Sequence, residues 1–565
     1  MNENVENVKI KVLDHSTKVK NGVMRVGFAA IAIMVEIAWL VAVFVLLTEY
    51  YLWVSAGTKV FAVILVLALY STNKNSAIKF TWIMLILLSP IFGIVLYLLV
   101  GLSGTTKRMK NRFYVTHKEL LPEISPFDTR SVLPDQEIFA APVPRNEIYG
   151  SVNSVDEISA SVDPYIELAH KDKALFNISR YITRQSNYPL YRVDELEFYP
   201  DSLKALQALK EGLKTAEHFI FMEYHAIDNK VHWNEIQDIL AEKAAQGVEV
   251  RVIYDDMGSF GFINTDFVHT LASLGIKCWV FNPMIPFINM FLNNRDHRKI
   301  TVIDGKIAFS GGYNLVDYYF DTTKKYGHWK DSGIRLTGEA VNSMTYTFLE
   351  MWNSIRKNDK KDKDVRKYFV PYDNKAGEGS RADRGYIQPY ADSPLFSEPL
   401  AENVYISIID QAKDYIYLST PYLIITDEMK RALTMAAKRG VDVRIVTPGI
   451  PDKKLVYRVT RSYYGALVKS GVRIFEYTPG FYHGKQCVSD DKTGVCGTIN
   501  FDYRSLYHHF ENACILYECP VVMEIKKDFE DTFTECREVT LEQIRKRSVV
   551  MRLVDNVLRL FAPMM

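Results

Sequence analysis

Two stretches of this chain carry the groups needed to handle a phosphate ester. HRKITVIDGKIAFSGGYN runs from His297 to Asn314, and HGKQCVSDDKTGVCGTIN from His483 to Asn500. His297, Lys299, Asp304, Gly311 and Asn314 recur as His483, Lys485, Asp490, Gly497 and Asn500 at the same spacings. In each copy His and Lys lie two apart, so a strand points both to one face. One copy is weak evidence, because Asp-Gly is an ordinary hairpin turn and His-x-Lys arises by chance. Five matched positions are not. Brought together across a pseudo-two-fold axis, two ammonium groups with Asn314 and Asn500 as donors can hold the non-bridging oxygens of a phosphate. One imidazole can attack phosphorus while the other protonates the leaving oxygen. Asp304 and Asp490 are candidates to orient or tune the imidazoles. The chemistry requires no metal and no cofactor, since Lys is not a ligand at neutral pH and His-x-Lys is not a ligand spacing.

The elements around the motifs repeat as well. FIFMEY reads as a strand, NEIQDILAEKAAQ as a helix ended by Gly247, and VEVRVIYDD as a second strand. YIYLST, the helix 427–439 ended by Gly440, and VDVRIVTP repeat that order, and LGIKCWVFNP matches SGVRIFEYTP. Strands alternating with helices predict an α/β fold, a mixed sheet sandwiched by helices once per half. The predicted strands at each motif are 300–303 and 307–309 in the first copy and QCVS (486–489) in the second, whose polar composition makes it the weaker strand.

Ahead of the repeats lie a basic arm (1–25) and three apolar segments at about 26–48, 52–71 and 80–102. The first and third reach the roughly 20 residues that span a bilayer core, and the middle one does if it begins near Leu52, which predicts a membrane-anchor region over 26–102. Basic flanks at 1–25, 72–79 and 107–112 cannot all share one face if all three segments cross. A kink at Pro90 and Gly93 that returns segment 80–102 as a re-entrant element resolves this. Six prolines mark 103–165 as a linker. The predicted units are then a first repeat at 166–356, a charged connector at 357–384, and a second repeat at 385–565. A net charge of +1 argues against a nucleic-acid partner. Six cysteines without paired close spacing read as reduced thiols, favouring a cytoplasmic catalytic region on a multi-pass cell-membrane protein.

HRKITVIDGKIAFSGGYN and HGKQCVSDDKTGVCGTINFDYRS resemble the paired motifs of the phospholipase D superfamily. With YGHWKDSGIRLTGEAV and the N-terminal apolar segments, the chain is similar to bacterial cardiolipin synthases of that type. The resemblance implies two phospholipase D-like α/β repeats sharing one active site behind N-terminal transmembrane helices. It implies phosphatidyl transfer through a phosphohistidine, two phosphatidylglycerols giving cardiolipin and glycerol. It puts the functional His, Lys and Asp at His297, Lys299, Asp304, His483, Lys485 and Asp490, with His297 as nucleophile and His483 as general acid. The alternatives are a phospholipase D-type hydrolase, another phosphatidyltransferase, a nuclease, and an inactive membrane lipid-binding protein. Near-zero net charge and the anchor argue against a nuclease, and two complete motifs against an inactive protein.

Two further stretches are apolar. MIPFINMFL (284–292) precedes His297, and Phe287, Met290, Phe291 and Leu292 are expected to line a path from membrane to site or to dip into the interface. From Arg545 to Phe561 one helical face carries Val550, Leu553, Val554, Val557, Leu558 and Phe561, which predicts a helix packed on its own domain or an interfacial anchor.

Overall fold

The two halves build sheets of one strand order. In the computed structural model the first sheet runs Leu196–Tyr199, Gly333–Thr337, Ile307–Gly311, Lys299–Ile303, Phe219–Tyr224, Glu249–Asp255, Lys277–Phe281. The second runs Tyr386–Asp392, His509–Tyr517, Thr493–Gly497, Gln486–Ser489, Tyr415–Ser419, Asp442–Pro448, Arg473–Tyr477, with Tyr191–Arg192 and Cys536–Glu538 at its edges. The structure describes residues 34, 35, 38, 41 and 42, then 52–102, 107–124, 164–264, 266–283, 293–355, 362, 364–370 and 384–564.

In each half the last three strands of that order pair in parallel, with helices as crossovers. Phe219–Tyr224 and Tyr415–Ser419 are buried throughout, which is why they read as continuous apolar runs. The motif strands form an antiparallel hairpin in each half. Its turn needs two left-handed residues: Asp304 (φ 52°) with Gly305 (φ 66°), and Asp490 (φ 52°) with Asp491 (φ 59°). Asp tolerates that region, so the second turn closes without glycine. The polar QCVS run is a true strand, buried along its length between two partners.

The halves interlock. The predicted first repeat yields residues to the second: Tyr191–Arg192 pairs with Tyr386–Ile387, and helix Lys173–Ser186 packs on that same strand and on helix Leu400–Gln411. Part of the predicted linker is instead an amphipathic helix, Lys107–Ile124, which buries Met109, Phe113, Leu120 and Ile124 and packs on helix Val341–Ile355. Much of the connector 357–384 lies outside the described residues. Its Asp362 is not a freely solvated charge, because Arg251 donates to it at 2.7 and 3.0 Å.

Among the described residues no helix is long and apolar enough to cross a membrane. Segment 26–48 lies outside the described residues but for five positions. Segment 52–71 forms helix Leu52–Tyr70. Segment 80–102 does not run as one helix: Ser89 leaves the helical region (φ −144°, ψ 84°) and Pro90 starts a new helix packed back on Ser76–Leu88. Proline has no N–H to continue the ladder and clashes with the preceding turn, which sets the break there. Gly93 permits the return, since a Cβ on it would lie 2.5 Å from the Leu85 carbonyl oxygen. The expected break near Pro90 and Gly93 is therefore present. At the other end of the chain, helix Val549–Leu560 docks through Asp555, Arg559 and the half-buried Leu558, while Val550, Leu553, Val554 and Val557 of the expected face point outward.

Candidate active site

Two short cross-repeat pairings deliver the histidines. Arg295–Asp296 pairs in parallel with His509–Phe510, and Gly480–Tyr482 pairs in parallel with His328–Lys330. In consequence the His297 N–H donates to the Phe510 carbonyl at 2.9 Å, and the His483 N–H donates to the Lys330 carbonyl at 2.7 Å. The next residue on each partner strand is a carboxylate. Glu511 accepts from His297 Nδ1, both of its oxygens standing at 2.9 Å, and Asp331 accepts from His483 Nδ1 at 2.6 Å. Each half thus supplies the acid that orients the other half's imidazole. An Nδ1–H held this way leaves Nε2 as the lone pair, and that of His483 faces the Tyr319 hydroxyl at 3.4 Å.

Both carboxylates are fully buried and anchored. Glu511 also accepts from the Thr498 and Ser505 hydroxyls, and Asp331 from the Ser332 N–H at 2.8 Å. Each lysine folds over its own histidine: Lys299 Nζ donates to the His297 carbonyl at 2.6 Å, and Lys485 Nζ lies 2.8 Å from His483 Nδ1 and donates to the His483 carbonyl. Trp329, Tyr319 and Phe481 wall His483, with ring centroids at 5.3, 5.0 and 5.9 Å. His225 and His509 wall His297 at 5.0 and 5.5 Å.

Burial and crowded positive charge set the titration. Desolvation lowers Lys299 to about 7 and Lys485 to about 8, with Glu511 and Asp331 respectively opposing it. Desolvation and then Lys299 hold His297 well below its usual range, and desolvation and then Lys485 lower His483 to about 3 against the pull of Asp331. Four basic groups buried together therefore favour an anion among them. A phosphate diester would supply it and raise all four groups.

The predicted site residues divide. His297, Lys299, His483 and Lys485 face one another closely enough that each histidine feels the opposite lysine. Asp304 and Asp490 are not with them, and this corrects the expectation that they orient the imidazoles. Asp304 accepts from the backbone N–H groups of Glu217, His218 and Phe219 at 2.7–2.8 Å, and Asp490 from those of Lys413, Asp414 and Tyr415 at 2.8–3.0 Å. They sit at the far end of the motif strand, five residues beyond the lysine, and tie the hairpin to the start of the central strand. Asn314 is largely committed to structure, accepting from the Ala226 N–H at 3.1 Å and donating to Tyr319 Oη at 2.8 Å. Asn500 is buried with its side-chain oxygen unpartnered.

Glu511 and Asp331 were missed by reasoning from sequence, although a signal existed. Asp331-Ser332-Gly333 and Glu511-Asn512-Ala513 occupy the same place in the two sheets, since Gly333 registers with Gly311 and Ala513 with Gly497. His225, Tyr319 and His509 carry no such pattern. His297, His509 and Glu511 bring three ligand-type atoms within 4.8 Å of one another. Glu511 there already accepts from His297 and two hydroxyls, and two ammonium groups lie close by, so the donor set fits an ion-paired imidazole better than a divalent cation.

A cavity of about 960 Å³ lies between the N-terminal helices and His509, the neighbour of His297. Ile78, Trp82, Val100 and Leu102 form its apolar wall, and Arg504 and His509 stand at the end near His297.

A duplicated α/β fold with one His-Lys pair per half, each oriented across the interface, defines a phospholipase D-type phosphotransfer protein. The family model described as cardiolipin synthase, phospholipase D-like domain matches residues 209–352 and 405–533, and the model of phospholipase D-nuclease N-terminal regions matches 60–101. A protein described as cardiolipin synthase 2 of Bacillus anthracis is 30% identical over 500 residues, covering 88% of each chain. An uncharacterized protein of Streptococcus mutans is 43% identical over 390 residues, 69% of this chain and 83% of its own. The phosphatidylserine synthase of Haemophilus influenzae, a solved structure, shares the fold at a TM-score of 0.52 and 15% identity, over 69% of this chain and all of its own. The chain belongs to the cardiolipin synthase family of phospholipase D-like proteins.

Proposed function

We propose that the protein is a membrane phosphatidyltransferase that makes cardiolipin and glycerol from two molecules of phosphatidylglycerol. The observation that carries this reading is the crossed pair His297–Glu511 and His483–Asp331, around one site with two lysines. His297 Nε2 attacks the phosphorus of the donor lipid. The P–O bond to glycerol breaks, and the leaving oxygen takes a proton from His483, whose charged form the bound phosphate favours. A phosphatidyl-His297 adduct and neutral His483 remain. The hydroxyl of a second phosphatidylglycerol then gives its proton to His483, its oxygen attacks phosphorus, and the P–N bond breaks to release cardiolipin. Lys299 and Lys485 hold the non-bridging oxygens through both steps. Asn500, and Asn314 through its second amide hydrogen, are read as further donors to the phosphate.

Transfer to lipid in preference to water needs the acceptor to be concentrated at the site. The cavity between the helices of 76–102 and His509 gives acyl chains a covered route, which spares them a cost of roughly 0.8 kcal/mol per exposed CH₂. The expected lining residues Phe287, Met290, Phe291 and Leu292 lie outside the described residues. With this route the N-terminal region is read as the membrane anchor. Purified full-length protein given phosphatidylglycerol vesicles should yield cardiolipin and glycerol in equal amounts, without nucleotide or added metal. Phosphatidic acid as the main product would make it a hydrolase.

A further inference from the structure

Helix Val549–Leu560 sits on the molecule in the reverse of the usual sense. Val549, Val550, Leu553, Val554, Val557 and Leu560 share one face and all are exposed, Val550 by 69% and Leu553 by 64%. The side that packs sets charged groups around the half-buried Leu558. Asp555, 2% exposed, pairs with Arg458 at 3.0 Å and with Arg547, and the Arg559 guanidinium stands 4.0 Å above the Tyr463 ring centroid. A helix that simply completes a soluble core turns its apolar stripe inward. Here ion pairs fasten the packed side and hold the stripe out.

The helix also adjoins the N-terminal helices. Thr81 Oγ1 donates to the Leu560 carbonyl at 3.0 Å. Phe80 and Leu560 line one cleft at that contact, and the helices of 52–88 also expose Val60, Ile64, Leu67, Leu87 and Leu88. Arg545, Lys546 and Arg552 are exposed beside the stripe, the charge that suits anionic headgroups. Twelve residues rise only about 18 Å, too little to span a bilayer.

We infer that this helix lies in the plane of an anionic phospholipid surface, apolar face down, and fixes the orientation of the α/β body on the membrane. The inference rests on the helix and its surroundings and not on the reaction, so its test reads lipid contact directly. In full-length protein with Cys536→Ser, the most exposed cysteine is removed, and Leu553→Cys can take an environment-sensitive fluorophore. In phosphatidylglycerol vesicles with brominated acyl chains, that label should shift to the blue and be quenched by lipid. The same label at Arg552→Cys should be quenched less. Adding Val550→Glu and Val557→Glu, which removes no buried contact, should leave thermal unfolding unchanged and abolish the lipid quenching of the Leu553 label. Quenching by aqueous iodide in place of lipid overturns the inference. So does shielding from both quenchers, which would mean that another part of the chain or a second copy covers the face.

Discussion

Glu511 and Asp331 separate orientation from mere burial. Asp331→Asn and Glu511→Gln keep shape while removing the charge that favours one tautomer and supports an imidazolium. Each should lower turnover on the order of 10²-fold or more with the fold intact. His297→Ala and His483→Ala should each cost on the order of 10³-fold or more, and the double variant little beyond either single one, because the pair acts as a unit. Asp304→Ala should do the opposite. Three backbone N–H groups lose their acceptor, so stability should fall by about 1–3 kcal/mol, read as a lower melting temperature, while turnover per folded molecule survives. A catalytic loss there without loss of stability would return Asp304 to the chemistry.

The lysines make the site pH-dependent in an unusual range. A lysine is charged below its pKa and neutral above it, and burial has brought these to about 7 and 8 from the usual value near 10.5. Affinity for an anionic headgroup should therefore weaken as pH rises from about 7 to 9. Because bound phosphate raises both pKa values, kcat should hold to higher pH than kcat/KM does. Rate profiles at saturating and at low lipid will check this. A common descending limb for the two quantities would exclude it.

At the scale of elements, the return of the chain at Ser89 and Pro90 depends on Gly93. Gly93→Leu places carbon inside the opposing backbone and should separate the two short helices, since a Cβ alone would already stand 2.5 Å from the Leu85 oxygen. The expected readouts are faster proteolysis within 71–102 and lower activity on vesicles. Unchanged proteolysis would mean the two helices are held by other contacts. The second motif strand makes a related point from the other side. QCVS lacks apolar alternation, yet it is held by pairing on both edges, with Cys487 and Val488 sealed in the core. Intrinsic strand preference yields to neighbours at such a position.

At the scale of the whole molecule, the site is one object made by two halves, and a cavity lies between it and the N-terminal helices. Ile78→Glu with Leu102→Glu puts charge on the cavity wall. It should impair conversion of long-chain phosphatidylglycerol in vesicles and spare a short-chain, water-soluble phosphatidyl substrate, because the histidines and lysines are untouched. Equal losses on both substrates would remove the cavity from the lipid route.

The duplication, the His-Lys pairs and the α/β repeat were legible in the sequence because spacing survives folding: two residues along a strand share a face wherever that strand lies. The break at Pro90 was legible for the same local reason, a missing N–H. The partner of each histidine was not. Glu511 and Asp331 reach His297 and His483 only through parallel pairing between halves, at separations of 214 and 152 residues, which no local pattern encodes. The motif aspartates looked catalytic because they are near the histidines in sequence, whereas an extended strand carries them roughly 3.3 Å per residue away from the site. The C-terminal helix had a plain apolar face in the sequence. Which way it turned was decided by where Arg458 and Tyr463 stand, and that belongs to the tertiary structure alone.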